Sequence, residues 1–427
     1  MSSRKTLGLL RKYESPNVTF IEADGSWPIV WERAKGIHVW DDRGRKYLDL
    51  TAAFGVSAAG HANPRVVRAG QRQMAKLLHA MGDVHPHPLK AELARELSRL
   101  TFETWGENGR TIFCNSGFEA VEAALKTALL ATGKRKVIAF EGAYHGLGYG
   151  SLNATHRGMF REPFANQLGQ FGEFVPFPMK ADELATTERW LQSALARGGV
   201  GAILVEPMQG RAGARVPVPE LLPMLRRFCD DTGALLVADE IYTGFGRTGR
   251  WFACEHTGTV PDIICLGKAL SGGFPISACV GRGALIERAW PRSHGEAMHT
   301  STFLGHPVGC AMALANIAEI RSRKLVEKAA EQGSCLLELL SDLRAPGLAL
   351  QARGVGLLAG LEVQHANGKP ATDVAMRVVK AMLRRGFILL PEGEHGNVIG
   401  FTPSLTITKS QLRETIRELN AALEKAA

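Results

Sequence analysis

Several features that define other protein classes are missing from this sequence of 427 residues. No apolar run approaches the ~20 residues that a membrane-spanning helix needs. The first residues, Met1–Lys5, show neither the apolar core nor the cleavage site of a secretory signal. The seven cysteines are odd in number and include no C-x-x-C pair, which is typical of reduced thiols rather than a disulfide framework. We therefore expect a cytoplasmic protein that does not act at a membrane.

Signals for nucleotides, nucleic acids and metals are also weak. No Gly-Lys pair is followed by Ser or Thr, so a P-loop is absent, and Gly354–Gly356 does not complete a dinucleotide-binding pattern. The formal charge of +9 is spread among acidic residues, which favours a solvated surface over a nucleic-acid partner. Three histidines, His79, His85 and His87, lie in a proline-containing segment that is more typical of a surface loop than of a metal site.

Apolar runs alternate with helix-period segments between about residues 110 and 310. Most of these runs are unbroken, as expected of parallel strands that are covered on both faces. This alternation predicts an α/β domain with a mostly parallel sheet. The predicted strands are Arg110–Phe113, Val137–Phe140, Ala202–Val205, Ala234–Ala238, Ile263–Leu266 and Ala278–Val280.

The two ends of the chain show other patterns. Residues 30–60 resemble a small strand meander, and Asn63 with Pro64 is typical of a helix start. The C-terminal part predicts a second, α+β domain, without a flexible linker. Its predicted elements are a long helical stretch after residue 310, then Leu357–Val363, a helix near Thr372–Arg385, and Phe387–Leu390.

Two polar positions follow predicted strands. Ser116 and Gly117 open a helix, and small residues at a helix N-terminus let backbone N–H groups approach an anion, although a simple capped helix has the same pattern. Asp239 ends an apolar strand, at the edge where α/β sheets bind ligands. A buried carboxylate there needs a partner such as a protonated pyridine nitrogen, and a loop cap is the alternative.

Lys268 and Tyr144 occupy similar positions. Lys268 stands between an apolar strand and a glycine-rich turn, with no other charged residue between Asp262 and Arg282. Desolvation in such a place would favour the neutral amine that forms an imine. Tyr144, after the strand Val137–Phe140, can stack on a planar ligand or belong to the core.

Taken together, these residues resemble the class III (ω-amino acid) aminotransferases, which are pyridoxal 5′-phosphate (PLP) enzymes of fold type I. The resemblance covers about residues 30–410. The segments that carry it are Gly60–Pro64, Ser116–Glu122, Tyr144–Gly146, Glu206–Gly210, Asp239–Gly249, Lys268–Gly273 and Ser301–Pro307. It implies an N-terminal segment at 1–60, a large PLP-binding domain at 61–320 and a small C-terminal domain at 321–427.

The resemblance also implies residue roles. Lys268 would hold PLP as a Schiff base, and Asp239 would pair with the pyridine nitrogen. Thr302 would reach the phosphate of a neighbouring subunit, so the active unit would be a homodimer, with a tetramer as the alternative. The other implied cofactor contacts are Ser116, Gly117 and Phe118 at the phosphate, Tyr144 and Ile241 on the two ring faces, and His145, Glu206 and Gln209 beside the ring.

Some positions depart from the family pattern. Gly400 falls where many members carry an Arg that grips the substrate carboxylate, a strong and specific pairing. The candidates to replace that Arg are Arg157, Arg161, Arg211 and Arg353. Phe54 stands where some relatives place a Tyr, so Phe54, Trp27 and Gly400 are the candidate substrate contacts. Phe118 replaces a usual Ser or Thr, and Tyr242 a frequent Gln.

These departures favour an amine, an ω-amino acid or a β-amino acid as donor, with a 2-oxo acid or aldehyde as acceptor. An aminomutase of the glutamate-1-semialdehyde type, or an amino-acid racemase or epimerase, is the alternative on the same scaffold. These reactions differ from transamination in where a proton is returned, which the sequence does not separate. A PLP-binding DNA regulator is disfavoured because about 30 N-terminal residues are too few for a DNA-reading module.

Overall fold

The computed structural model describes residues 2–426. The strands are β1 Trp31–Lys35, β2 His38–Asp41, β3 Lys46–Asp49, β4 Gly109–Cys114, β5 Lys136–Phe140, β6 Gly172–Val175, β7 Val200–Val205, β8 Leu235–Asp239, β9 Ile263–Leu266, β10 Ser277–Arg282, β11 Leu348–Val355, β12 Leu358–His365, β13 Phe387–Ile388, β14 Leu390–Glu392 and β15 Val398–Phe401.

The helices lie between and after these strands. They are α1 Ser3–Tyr13, α2 Ala52–Gly55, α3 Pro64–Lys76, α4 Pro88–Leu100, α5 Gly117–Thr132, α6 Tyr149–Leu152, α7 Gly158–Arg161, α8 Ala181–Ala196, α9 Leu221–Thr232, α10 Gly283–Ala289, α11 Pro307–Ser322, α12 Leu325–Ser341, α13 Thr372–Arg384 and α14 Lys409–Ala426. Short 3₁₀ turns cover Glu162–Gln167, Ala253–Thr257 and Lys268–Leu270.

The central sheet has seven strands in the order β4-β10-β9-β8-β7-β5-β6. Strands β5 to β9 pair in parallel, whereas β10 runs antiparallel to both β9 and β4. The mostly parallel α/β sheet is therefore confirmed, and every predicted strand of this region lies in it. Strand β6 was not predicted, because it lies at the sheet edge and only its last residue is buried.

The remaining strands form two smaller sheets. One has the order β1-β2-β3-β13 and joins the N-terminal meander to β13 through parallel pairing of Leu48 with Phe387. The other has the order β11-β12-β15-β14. The predicted single strand Phe387–Leu390 was wrong, since β13 and β14 belong to different sheets. The buried side chain of Leu389 lies between them.

The predicted long helical stretch after residue 310 is two helices, α11 and α12. Lys324 between them has a φ of 51°, in the left-handed region, which ends the right-handed helical path. Asn63 caps α3 as expected, because its Oδ1 accepts a hydrogen bond from the Arg65 backbone N–H at 3.0 Å. Within residues 2–426, no helix is both long and apolar enough to cross a membrane.

Candidate active site

The C-terminal ends of the parallel strands bring the predicted residues together. Tyr144 and His145 follow β5, Glu206 follows β7, Asp239 ends β8 and Lys268 follows β9. Since parallel strands end at the same edge of a sheet, these side chains meet there. They surround a cavity of about 420 Å³ that is lined by Gly117, Phe118, Tyr144, His145, Gly146, Leu147, Glu206, Arg211, Asp239, Ile241, Tyr242 and Lys268.

Asp239 is held by two donors. Its Oδ2 lies 2.7 Å from His145 Nδ1, and its Oδ1 accepts the backbone N–H of Ile241 at 3.1 Å. His145 is buried, and its Nε2 has no hydrogen-bond partner within residues 2–426. Because a buried carboxylate is costly unless it is hydrogen-bonded, the His145 contact fixes both its position and its orientation at the cavity.

Glu206 lies beside this pair. Its carboxylate accepts the backbone N–H groups of Tyr144 at 2.9 Å and Gly210 at 3.1 Å. Burial raises the pKa of Glu206 to about 6, since the nearby charge of Asp239 adds to the desolvation while His145 opposes it. Glu206 therefore supplies a second negative charge at the cavity near neutral pH.

Lys268 is the amine in this cavity. Burial lowers its pKa to about 8, although Asp239 and Glu206 act in the opposite direction. Its Nζ lies 4.5 Å from the centre of the Tyr242 ring. Lys268 has a φ of 37°, in the region that non-glycine residues rarely adopt, so the turn after β9 holds this side chain at a cost in backbone strain.

The N-terminus of α5 forms the far side of the cavity. Glu119 Oε2 accepts the backbone N–H of Ser116 at 2.9 Å, but the buried Ser116 Oγ has no hydrogen-bond partner within residues 2–426. A Cβ on Gly117 would lie 3.0 Å from Ile241, and a Cβ on Gly146 would lie 2.3 Å from Phe118. The two glycines therefore let Ile241 and Phe118 pack closely against the backbone, and the free Ser116 hydroxyl with the first N–H groups of α5 offers donors to an anion at the helix N-terminus.

The donor set fits PLP. The aldehyde of PLP requires an amine, which Lys268 offers, and its protonated pyridine nitrogen pairs with a carboxylate, which Asp239 offers. Its phosphate requires donors such as the unpartnered Ser116 hydroxyl and the first N–H groups of α5. The cavity volume of about 420 Å³ lies in the usual range for cofactor sites.

Gln209, Thr302 and Trp27 lie outside this cavity. Gln209 is buried, donates to the carbonyl of Glu141 at 2.9 Å and accepts from Arg215 at 3.1 Å, which does not favour the predicted cofactor contact. Thr302 is exposed at the surface of the single chain. Trp27 packs against a small apolar cluster that includes Val39 and Tyr47 from β2 and β3.

Phe54 and Gly400 line a second, small cavity of about 10 Å³. Tyr242 lines both cavities, and Glu392 joins Phe54 and Gly400 in the second. The turn Ala52–Gly55 that carries Phe54 has positive φ at every residue, so it is one turn of left-handed helix. Such backbone costs energy at non-glycine residues and often occurs at functional sites. Glu392 was not among the predicted site residues, because its sequence context, a short strand, carries no motif.

Of the four candidate arginines, only Arg211 lines the cavity with Lys268. Its guanidinium lies 4.8 Å from the centre of the Tyr144 ring, and its Nε has no hydrogen-bond partner within residues 2–426. The others are engaged elsewhere: Arg157 donates to the Arg211 and Gly393 carbonyls, Arg161 stacks on Phe174, and Arg353 pairs with Glu362.

Comparisons with known proteins agree with this geometry. The family model "Aminotransferase class-III" matches residues 20–423. An acetylornithine aminotransferase of Methanosarcina mazei is 37% identical over 93% of this chain and 92% of its own length. A putrescine aminotransferase of Pectobacterium atrosepticum is 36% identical over 99% of this chain and 89% of its own length.

Solved structures show the same relationship. An amine transaminase from an uncultivated Pseudomonas species, in a PLP-bound form, superposes with a TM-score of 0.89 at 29% identity. The superposition covers 97% of this chain and 99% of that one. These relatives are named as aminotransferases, which favours amino transfer over the aminomutase and epimerase alternatives. The chain belongs to the class III aminotransferases and is a PLP-dependent enzyme of fold type I.

Proposed function

We propose that the enzyme moves an amino group from an amine, ω-amino acid or β-amino acid donor to a 2-oxo acid or aldehyde acceptor, in two half-reactions at one site. The observation that carries this proposal is one cavity that holds the Lys268 amine and the Asp239–His145 pair at the C-terminal ends of parallel strands. The putrescine aminotransferase among the relatives supports an amine donor.

Lys268 is the proposed catalytic residue. Bound PLP supplies an aldehyde for the amino group and a ring that accepts the electron pair left on the donor carbon. Lys268 Nζ takes the proton from the carbon that bears the donor's amino group. A pKa lowered to about 8 suits this task, because a base works best when its pKa is near the working pH.

Asp239 is proposed to hold a proton at the ring nitrogen. His145 orients the Asp239 carboxylate through the 2.7 Å contact between His145 Nδ1 and Asp239 Oδ2. Tyr144 and Ile241 both line the cavity and are proposed to pack on the ring, and Glu206 lies near the substrate side. We propose that Ser116, Gly117 and Phe118 bind the phosphate, Phe118 through its backbone.

Arg211 is proposed to bind the carboxylate of the oxo-acid acceptor. It is the candidate arginine that lines the cavity with Lys268, and its Nε lacks a partner. Arg and carboxylate form strong, directional pairs. Gly400 offers no such group, so Arg211 would take over the function of the family's arginine from a different position.

We also propose a homodimer. Thr302 lies on a surface where large apolar side chains are exposed, and Asn115, next to the phosphate site, donates to Ser301 at 3.2 Å. Exposed apolar clusters of this kind often mark subunit interfaces. The exposed side chains, here called the apolar rim, are Leu77, Leu78, Met81, Val84, Met298 and Phe303.

We propose a cytoplasmic location. All seven cysteines are unpaired, which supports a reducing compartment.

A single-turnover experiment tests the function. Purified enzyme is mixed with an amine donor and no acceptor, and the visible absorbance of the bound cofactor is followed together with the carbonyl product. We expect up to one product per site and a parallel loss of absorbance, and no product with Lys268→Ala. An unchanged spectrum with epimerisation of the donor would contradict the proposal.

A further inference from the structure

Glu392 is an acidic side chain in the substrate region to which no role has been given above. It ends β14 and lines the small cavity with Phe54, Tyr242 and Gly400. Its carboxylate has neither a hydrogen bond nor an ion pair within residues 2–426. A partly buried carboxylate without a partner is costly, so a cation from outside the chain would relieve it.

The absence of a side chain at position 400 makes room for Glu392. Strands β14 and β15 pair antiparallel, with Leu390 opposite Gly400. A Cβ on Gly400 would lie only 2.8 Å from Glu392 Cγ, closer than real Cβ contacts. An arginine at position 400 and Glu392 in its present position therefore exclude each other. Glu392 gives this part of the pocket a negative charge, whereas an arginine at position 400 would give it a positive charge.

The volume of the small cavity limits which chemical group can bind beside Glu392. Its volume of about 10 Å³ is close to the smallest space that holds one water molecule. A primary ammonium group is about as large as a water molecule, whereas a carboxylate is larger and would be repelled by Glu392. The walls formed by Phe54, Leu390 and Phe401 are apolar and suit the methylene chain that would carry such a group.

Glu392 also lies within electrostatic range of Lys268. Burial raises the pKa of Glu392 to about 7, while Arg211, Arg157 and Lys268 act to lower it. Neither arginine forms an ion pair with it: Arg157 donates to backbone carbonyls, and Arg211 faces Tyr144. Tyr242 lines both cavities, and Lys268 Nζ lies 4.5 Å from the centre of its ring, so the site of reaction and the Glu392 cavity are neighbours.

We propose that Glu392 binds the second ammonium group of a diamine donor whose first amino group reacts at Lys268. This inference rests on the proposed function and specifies its donor class. Arg211 would serve the acceptor carboxylate and Glu392 the donor cation, so the two half-reactions would use opposite charges in one pocket. Diamines are then preferred over monoamines and over ω-amino acids of equal length.

The test compares donors that differ only at the far end. For chains of three to six carbons, kcat/KM is measured for the diamine, the n-alkylamine and the ω-amino acid, with wild type and with Glu392→Gln. We expect wild type to prefer the diamine, and Glu392→Gln to lower kcat/KM for the diamine by about tenfold to a hundredfold, mainly through KM. The n-alkylamine should be unchanged or improved.

Glu394→Gln is the matched control, since Glu394 is exposed two residues further along the same loop. It should leave the diamine preference unchanged. A second variant, Gly400→Ala, displaces Glu392 sterically and should weaken the preference without removing the charge. Retention of bound-cofactor absorbance and of the thermal midpoint shows that each variant is folded.

Two results would overturn the inference. In one, wild type uses the diamine and the n-alkylamine equally well, and in the other, Glu392→Gln lowers both donors alike. If wild type transfers the amino group of none of these donors, the proposed function fails as well. Transfer from n-alkylamines without a diamine preference refutes the role of Glu392 alone.

Discussion

At the residue scale, Lys268 shows how burial can produce a reactive amine. Desolvation disfavours the ammonium form, and the carboxylates of Asp239 and Glu206 limit the effect, so its pKa falls to about 8. The strained φ of 37° fixes where this amine lies. A lysine with the same sequence context on a solvated turn would keep its ordinary pKa of about 10.4, so a far smaller fraction of it would be neutral at pH 7.

The first prediction concerns PLP uptake by protein stripped of its cofactor. Only neutral Lys268 reacts with the aldehyde, so the uptake rate should rise with pH with a midpoint near the pKa of about 8. Glu206 raises this pKa, so Glu206→Gln should move the midpoint to lower pH. Stopped-flow absorbance measures the rate. A rate independent of pH between 6.5 and 9.5 would show that Lys268 is not the titrating group.

The second prediction concerns Glu392. Burial raises its pKa to about 7, against the charges of Arg211, Arg157 and Lys268. The carboxylate therefore loses its charge as the pH falls below 7, while the second amine of a diamine stays cationic. The ratio of kcat/KM for diamine over n-alkylamine should therefore decrease from pH 8 to pH 6. In Glu392→Gln this ratio should be flat. Taking the ratio cancels the titration of Lys268, which acts on both donors.

At the element scale, close backbone contacts decide whether a glycine inside a helix can be replaced by a residue with a side chain. Helix α12 crosses the turn at Gly356, where a Cβ on Gly333 would lie 2.3 Å from backbone atoms. Gly8 in α1 has open space around it. The two glycines lie inside helices, where propensity alone favours Ala over Gly by roughly 0.5–1 kcal/mol.

The third prediction compares these two positions. Gly333→Ala should destabilise the protein by about 1–3 kcal/mol, because the new methyl group pushes α12 away from Gly356. Gly8→Ala should be neutral or slightly stabilising. Urea unfolding followed by tryptophan fluorescence measures both variants. Equal midpoints for the two would show that the α12 contact relaxes without cost.

The sequence predicted the strands that are buried along their whole length, but it did not predict which strands pair or in which direction. Strands β7, β8 and β9 are buried at every residue, and their apolar runs identify them. The antiparallel direction of β10 and the division between β13 and β14 depend on partners from distant parts of the chain. No local pattern carries that information.

At the scale of the whole molecule, the active site lies close to the proposed subunit interface. Asn115, beside Ser116, contacts Ser301, and the apolar rim lies along the same surface. The division of the chain at about residues 60 and 320 remains a prediction. The pairing of β3 with β13 is compatible with a small domain built from both ends of the chain.

The fourth prediction tests the dimer. Met81, in the apolar rim, is 55% exposed in the single chain, and Met81→Lys should shift sedimentation from dimer toward monomer. Cofactor retention should fall in parallel, since Thr302 of the partner subunit would no longer reach the phosphate. Trp190→Lys, at a 51% exposed position on α8, is the control and should change neither. A Met81→Lys protein that stays dimeric would place the interface elsewhere.

The sequence alone determined the fold class, the cofactor and the order of Ser116, Asp239 and Lys268. It could do so because unbroken apolar strands and the residues at their ends are local features, and because those residues carry the resemblance to the class III aminotransferases, which implies PLP. Only the tertiary structure placed Arg211, of the four candidate arginines, at the cavity with Lys268 and paired His145 with Asp239. It also placed Glu392 over the bare backbone of Gly400, because that contact depends on the packing of β14 against β15.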